Sequence, residues 1–261
     1  MSGRATRSEG LAPLGRPRVH LRRTGSTNDR ARALAIAGAP HGTLVTASEQ
    51  TAGRGRHGRR WSAAAGSSLL MSLLLRGGPS GSAGEPGPAL PDLLPLIAAV
   101  AVCDVAGAQA RIKWPNDIVL VRPPGLAKLA GILAEGRPQQ GWAVLGIGLN
   151  VAVEPDELPP ELRTTAATLG LPRAAIEPTL QRLLAALARR LGEEPQATLE
   201  AWRARDALLG RAIVWGAPGG DAAVRRGRAE GIDGTGRLVV ALAAGGRATL
   251  DAGEVHLEEI G

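Results

Sequence analysis

Along the first two thirds of the chain, apolar and polar positions alternate in short runs, each closed by glycine, proline or a polar cluster. Residues 18–23 (RVHLRR) alternate as a short strand does. Beyond TGSTND at 24–29, Ala31, Leu34, Ala35 and Ile36 recur at helical spacing until Gly38. That pattern predicts a strand, a polar turn and a helix with Ser26 or Thr27 at its N-cap. Residues 42–48 predict a strand, 68–75 a continuous apolar strand, and 90–106 a buried helix. A strand ending near Trp114 is broken by Pro115 and restarts at 117–121; the turn at 122–127 then returns as a strand over 128–134. WAVLGIGLNV at 142–151 predicts another strand, and 176–191 and 196–209 predict amphipathic helices. From Gly210 the pattern changes to short strands with glycine turns, a small all-β unit of about fifty residues.

Between these elements the Gly/Pro/Ser-rich stretch 77–88 carries no evident chemistry, but 49–61 (EQTAGRGRHGRRW) does. From Gly53 to Arg60 there are three glycines and four arginines, with no apolar side chain as an anchor. The segment formally matches GxGxxG, yet no helical apolar pattern follows it and no acidic residue falls about 20 positions on, so a dinucleotide turn is discounted. Ordering eight residues costs roughly 8–16 kcal/mol, and four arginines on phosphate return roughly 6–12 kcal/mol. Either this is a solvated basic loop, or it is a flap that stays open alone and closes over an anion.

Composition sharpens the picture. The chain of 261 residues has net charge +7, and only two of its 31 basic residues are lysine: Lys113 and Lys128, both within KWPNDIVLVRPPGLAKLAGIL at 113–133. Asparagine is nearly as rare, at Asn28, Asn116 and Asn150. An ammonium retained where arginine serves everywhere else marks a position that needs a compact, mobile charge. With aromatics at 2% and no Phe or Tyr, base stacking on nucleic acid is disfavoured. The clustering of arginine in one loop also disfavours an extended phosphate track. Cys103 stands alone in LIAAVAVCDVAG. One thiol makes neither an intrachain disulfide nor a Cys-based zinc site, and it is expected to be buried and structural, in a reducing cytoplasm. The first seventeen residues lack the apolar centre of a signal peptide, no run approaches the ~18 residues of a membrane span, and they are too short for a helix-turn-helix.

Two clusters keep two readings. TGSTND is compatible with a simple helix cap or with a polar-ligand site at a helix N-terminus. Gly146 and Gly148 signal close sheet packing or a ligand approaching the backbone.

TGSTND, EQTAGRGRHGRRW, KWPND, KLAGIL and GIGLNV, in this order and spacing, resemble the biotin protein ligases. The likeness covers nearly all of residues 18–261, including GIDGTGRL and AGEVHL near the end. It implies an α+β fold: a mixed sheet flanked by helices, related to class II aminoacyl-tRNA synthetase and lipoate ligase cores, followed by a small SH3-like β-barrel. The implied division is a flexible N-terminus (1–17), a catalytic biotin- and ATP-binding domain (18–209) and the SH3-like domain (210–261).

The implied activity is a cytoplasmic ATP-dependent ligase. It activates biotin as biotinyl-5′-AMP, with Mg²⁺, and transfers it to a lysine of a biotin carboxyl carrier domain of acetyl-CoA or related acyl-CoA carboxylase. The alternative within the superfamily is a lipoate or octanoate ligase or transferase. By the resemblance, Ser26, Thr27, Asn28 and Gln50 bind biotin, with Arg54, Gly55, Arg56, Trp61, Lys128, Gly131, Gly146 and Gly148 around it. Arg54, Arg56, Arg59, Asn116 and Asn150 bind ATP, with Asn150 at the adenine edge. Lys128, Lys113, Asp117 and Arg56 are the catalytic set, and Asp117 is a candidate Mg²⁺ ligand. No DNA-binding module, no membrane attachment and a monomer or weak homodimer are expected. VRPPGLA at 121–127, a longer turn than the family's, separates KWPND from Lys128.

Overall fold

The computed structural model describes residues 13–77, 90–122, 125–137, 141–216, 224–251 and 254–257. Most of the loop expected at 77–88, the two prolines of the 122–127 turn and most of the N-terminal segment lie outside them. Seven strands form the main sheet: β1 (Arg18–Leu21), β2 (Leu44–Ala47), β3 (Ser68–Arg76), β4 (Ala110–Lys113), β5 (Asp117–Arg122), β6 (Gly125–Arg137) and β7 (Trp142–Asn150). Their order is β1-β2-β3-β7-β6-β5-β4, with β1 parallel to β2 and every other pair antiparallel. The sheet is mixed, as the resemblance implied.

Strand periodicity explains its two faces. In β3 and β7, Leu69, Met71, Leu73 and Leu75 with Ala143, Leu145, Ile147 and Leu149 join the large core, under α2 (Leu94–Ala106) and α3 (Ile176–Leu191). On the opposite face Leu74, Val144 and Trp142 pack with Ala31 and Ala35 of α1 (Thr27–Ile36). Toward the sheet centre that second face gives up apolar bulk and offers Ser72, Gly146, Gly148 and Asn150, which makes room for a site.

Two expectations need correction. The last helix, α4, runs Pro195–Arg203 rather than to 209. Residues beyond it turn back onto β4, where Ile112 N donates to Arg205 O at 2.7 Å and Ala207 N to Ile112 O at 2.9 Å. The returning strand β6 is longer than 128–134 because it pairs with both β5 and β7.

The C-terminal unit, β8 (Ala212–Gly216), β9 (Arg225–Ile232), β10 (Leu238–Leu242), β11 (Arg247–Leu250) and β12 (Glu254–Leu257), is a five-stranded antiparallel sheet in the order β11-β10-β9-β8-β12. Among the described residues no strand pairing closes it into a barrel. Nor is it a detached appendage: Ile213, Ile232, Leu238, Val240 and Val255 belong to the same core cluster as α2 and α3. None of the described helices is long and apolar enough to cross a membrane.

Candidate active site

A cavity of about 420 Å³ opens on the α1 face of the sheet. Every residue assigned to the site from sequence lines it, from Ser26 at one end to Asn150 at the other. The lysines meet there too, although fifteen positions separate them.

At one end the polar turn is built by α1. Ser26 is the N-cap but its side chain makes no capping bond. Gln50 does that work: its Oε1 accepts from Thr27 N at 2.7 Å and from Thr27 Oγ1 at 3.0 Å. This satisfies an amide that a helix start would otherwise leave orphaned and leaves the Gln50 amide nitrogen for a ligand. Ser72 Oγ lies 2.8 Å from Thr27 Oγ1 and 2.6 Å from Asn28 Oδ1; its single proton can serve one of them at a time. Asn28 Nδ2 donates to Glu135 Oε2 at 2.8 Å. Ser26, Thr27 and Asn28 are all buried, so this network presents oriented polar groups with little freedom to turn.

The glycines resolve in favour of close approach, and the approaching groups are the protein's own. A Cβ on Gly146 would lie 2.1 Å from Asn28 Oδ1, and one on Gly148 2.6 Å from Trp61 Cε2. Gly131 sits opposite Gly148 across the β6–β7 pair, and its Cβ would meet the same indole at 3.0 Å. The Trp61 ring thus rests on a two-glycine bed, its Nε1 buried without a hydrogen-bond partner.

Lys128 owes its direction to a bulge. In an unbroken strand Lys128 and Gly131, three apart, would face opposite sides. The β5–β6 register shifts between Ile118 and Val119, so Val119 pairs with Lys128 and Asp117 with Gly131. The extra residue restores Lys128 to the cavity face. Its Nζ lies 2.7 Å from Asp117 Oδ1 and 5.8 Å from the Trp61 ring centroid. The pair is an ion contact rather than an aligned hydrogen bond, since Oδ1 is otherwise buried with no donor directed at it.

The arginine segment is not an unanchored loop. Gly55 N donates to Arg59 O at 2.8 Å, Trp61 N to Gly53 O at 3.0 Å, and Arg54 bridges to Arg60 in antiparallel fashion. A short 3₁₀ turn, Arg56–Gly58, forms its tip. Arg54 holds the base, 2.7 Å from Asp29 and 3.2 Å from Glu135. The hydrogen bond to Asp29 raises the Arg54 guanidinium above its ordinary value. Arg54 thus pairs its charge with Asp29 and Glu135 at the flap's base, and Arg54, Arg56 and Arg59 all line the cavity. Sequence reasoning missed Asp29, Ser72 and Glu135. Asp29 lay within TGSTND, but nothing in the pattern tied it to a flap 25 residues on.

The two remaining asparagines hold walls. Asn116 Nδ2 donates to Ile132 O at 2.9 Å, and Ile132 N returns a bond to Asn116 O at 2.9 Å. Asn150, 5% exposed, donates to Ala167 O at 2.9 Å and accepts from Ser68 Oγ at 3.1 Å. Each end of its amide thus makes one bond within the fold, while the residue also lines the cavity. Among the described residues no three His, Cys, Asp or Glu side chains gather to hold a metal, and Asp117 is the one carboxylate lining the cavity.

Comparison with known proteins agrees with this geometry. The biotin/lipoate A/B protein ligase family matches residues 20–151, and the biotin protein ligase C-terminal domain matches 209–257. The biotin--[acetyl-CoA-carboxylase] ligase of Mycobacterium tuberculosis is 39% identical over 250 residues, covering 90% of this chain and 86% of that protein. That of Paracoccus denitrificans is 37% identical over 252 residues, covering 90% and 98%. The biotin protein ligase from Aquifex aeolicus, solved in complex with biotin and ATP, shares the fold at a TM-score of 0.71 and 24% identity, over 92% of this chain and 98% of that one. With a polar turn, a glycine-floored indole, an arginine flap and a re-aimed lysine on one sheet face, the chain belongs to the biotin protein ligases.

Proposed function

We propose that the chain activates biotin with ATP and passes the acyl group to a lysine of a biotin carboxyl carrier domain. In the first step a biotin carboxylate oxygen attacks the α-phosphorus and pyrophosphate leaves; in the second the carrier amine attacks the acyl carbon and AMP leaves. The observation that carries this reading is the meeting of Lys128, Lys113, Arg56 and Arg59 with Gln50 and the buried Thr27 and Asn28 around one cavity. A neutral, hydrogen-bonding end suits a ureido ring, and a cationic end suits phosphates.

Lys128 is placed to hold the two anions together. An ammonium about 4 Å from each offsets their repulsion by roughly 4 kcal/mol per contact at an effective dielectric near 20. The same charge polarises the mixed anhydride for the incoming amine. Asp117 holds Lys128 on the cavity side. Arg56 and Arg59 close over the nucleotide as the flap folds down, with Trp61 as its hinge-side wall, and this excludes water from the adenylate. Arg54 latches the flap's base rather than binding nucleotide. Asn116 and Asn150 keep the walls in place.

Mg²⁺ enters with the triphosphate as part of the substrate and keeps most of its waters. Asp117 is the protein carboxylate in this cavity that it can meet, while the Lys128 contact and the lack of a second acidic ligand do not fit a resident protein-held ion. We assign catalysis to residues 18–209 and a supporting role to 210–261.

The test is pyrophosphate release from MgATP on adding biotin, beside parallel reactions with lipoate, octanoate and amino acids. Release with biotin alone, followed by labelling of a carrier domain, is expected. Release with lipoate or octanoate in place of biotin would move the chain to the lipoate branch of its family.

A further inference from the structure

Within KWPND at 113–117, the catalytic turn that carries Lys113, Asn116 and Asp117, Trp114 faces away from the cavity. Trp114 follows Lys113 and is 2% exposed, packed in the main core. Its indole Nε1 donates to Gly236 O at 3.1 Å, 122 residues further along the chain. Gly236 belongs to the turn between β9 and β10, so this bond joins the catalytic turn to the C-terminal sheet.

The acceptor is itself held in place. Asp233 Oδ1 accepts from Thr235 N at 2.8 Å and from Arg237 N at 3.0 Å, which folds the turn. Arg203 of α4 donates to Ile232 O at 3.2 Å. Gly236 has φ +82°, and a Cβ there would lie 2.8 Å from Leu96 Cδ2 and 3.3 Å from Leu93 Cδ2. The turn is wedged against the start of α2, at a position that suits glycine. On the other side of the catalytic turn, Asn116 is paired with Ile132 through its backbone and side chain. A segment gripped from β6 on one side and from the C-terminal sheet on the other has little room to drift. Val255 of β12 also reaches a small recess that Lys113, Asn116, Arg56 and Arg59 line.

We propose that Trp114 is a positioning residue, through which the C-terminal sheet sets the place of Lys113 and Asn116 for adenylation. The inference rests on the ligase reading above and gives the C-terminal sheet a task in the first chemical step that requires no contact with the carrier. Displacing a catalytic group by about 1 Å can cost on the order of 10²-fold in rate, so loss of one such tie should be felt in the chemistry. Biotin's own end of the cavity, built by α1 and β3, does not depend on it.

Two substitutions approach the bond from opposite ends. Trp114→Phe keeps an aromatic ring in the core and removes the N–H; Gly236→Ala displaces the carbonyl by crowding Leu96. Single-turnover adenylation at saturating MgATP and biotin, biotin affinity by calorimetry, and thermal unfolding are measured on the full chain. Each variant is expected to slow adenylation by roughly 5- to 30-fold with biotin affinity within about 2-fold of the parent, and the double variant to be little slower than either alone, as for residues acting through one contact. Unchanged adenylation in folded Trp114→Phe, parallel loss of biotin affinity, or full additivity would overturn the assignment. A Trp114→Phe chain that fails to fold shifts the decision to Gly236→Ala, whose unchanged rate overturns it equally. A parent protein that forms no adenylate removes the ligase reading itself, a distinct outcome.

Discussion

Gly146 leaves no room for a side chain because Asn28 occupies the space: a Cβ there would sit 2.1 Å from Asn28 Oδ1. Asn28 cannot swing away cheaply, since Ser72 holds its oxygen at 2.6 Å and Glu135 its nitrogen at 2.8 Å. Gly146→Ala should therefore displace the polar turn itself. Overpacking of this kind costs roughly 1–3 kcal/mol, which at 1.4 kcal/mol per decade is about 5- to 150-fold in biotin affinity if borne by the site. Calorimetric titration with biotin, beside a melting curve, checks it. Full affinity in a folded variant would mean that biotin does not depend on Asn28.

The ammonium of Lys128 touches a carboxylate in the cavity, Asp117 at 2.7 Å. Lys128→Ala should lower adenylate formation by about 10²-fold or more, the magnitude typical of losing a charge aimed at a developing anion. Lys128→Arg should restore little. A planar fork has neither the compactness nor the freedom of rotation that a site between Asp117 and Trp61 requires. Quenched-flow measurement of adenylate separates activation from transfer. An alanine variant with near-parent rates in both steps would take Lys128 out of the chemistry.

How much of this was legible beforehand differs from residue to residue. Ser26, Thr27 and the flap arginines could be read because clustered polar or basic side chains interrupt otherwise plain apolar periodicity, whereas Gln50 was reached only through the resemblance to the biotin protein ligases. Strand order could not, because β7 inserts between β3 and β6 through contacts that no local pattern encodes. The side of the sheet that Lys128 faces was equally hidden: counting by twos from Gly131 gives the wrong face, and only the bulge in the β5–β6 pairing corrects it. Arg54 looked like a phosphate ligand because its partners Asp29 and Glu135 are distant in sequence. The partners of Asn150 were hidden for the same reason, Ser68 and Ala167 being supplied by other parts of the fold.

Cys103, fully buried on α2, has its thiol pushed up to about 12 by burial, from an ordinary value of 9.0. Because the native state holds this proton more tightly than the unfolded one, the contribution to stability is complete below pH 9 and is lost as pH rises toward 12. Native protein at pH 8 should therefore react with a thiol reagent only through opening, at a rate that climbs with urea. Rapid labelling of the folded chain at pH 8 would contradict the buried placement.

Arg56 stands at the tip of a flap whose base is secured and whose tip is shaped by backbone bonds of its own, Gly55 N to Arg59 O at 2.8 Å and Arg59 N to Arg56 O at 3.1 Å. Arg54 and Trp61 fix where the flap attaches; Arg56 contributes charge at the end that meets the nucleotide. Arg56→Gly should thus leave the flap attached yet weaken its hold on the adenylate. A charge-assisted bond lost at about 1.5–3 kcal/mol corresponds to release faster by roughly 10- to 150-fold. Escaped adenylate acylates any amine it meets, so the variant should biotinylate bystander lysines on an added unrelated protein, at a level set by adenylate production rather than by carrier concentration. The same account predicts that Gly53–Arg60 is cut by trypsin in the free protein and protected once the adenylate is bound, and that Arg56→Gly reduces the protection. Cleavage that ignores the adenylate in the parent, or a variant that retains its intermediate as long as the parent does, would show that the flap does not close over the nucleotide.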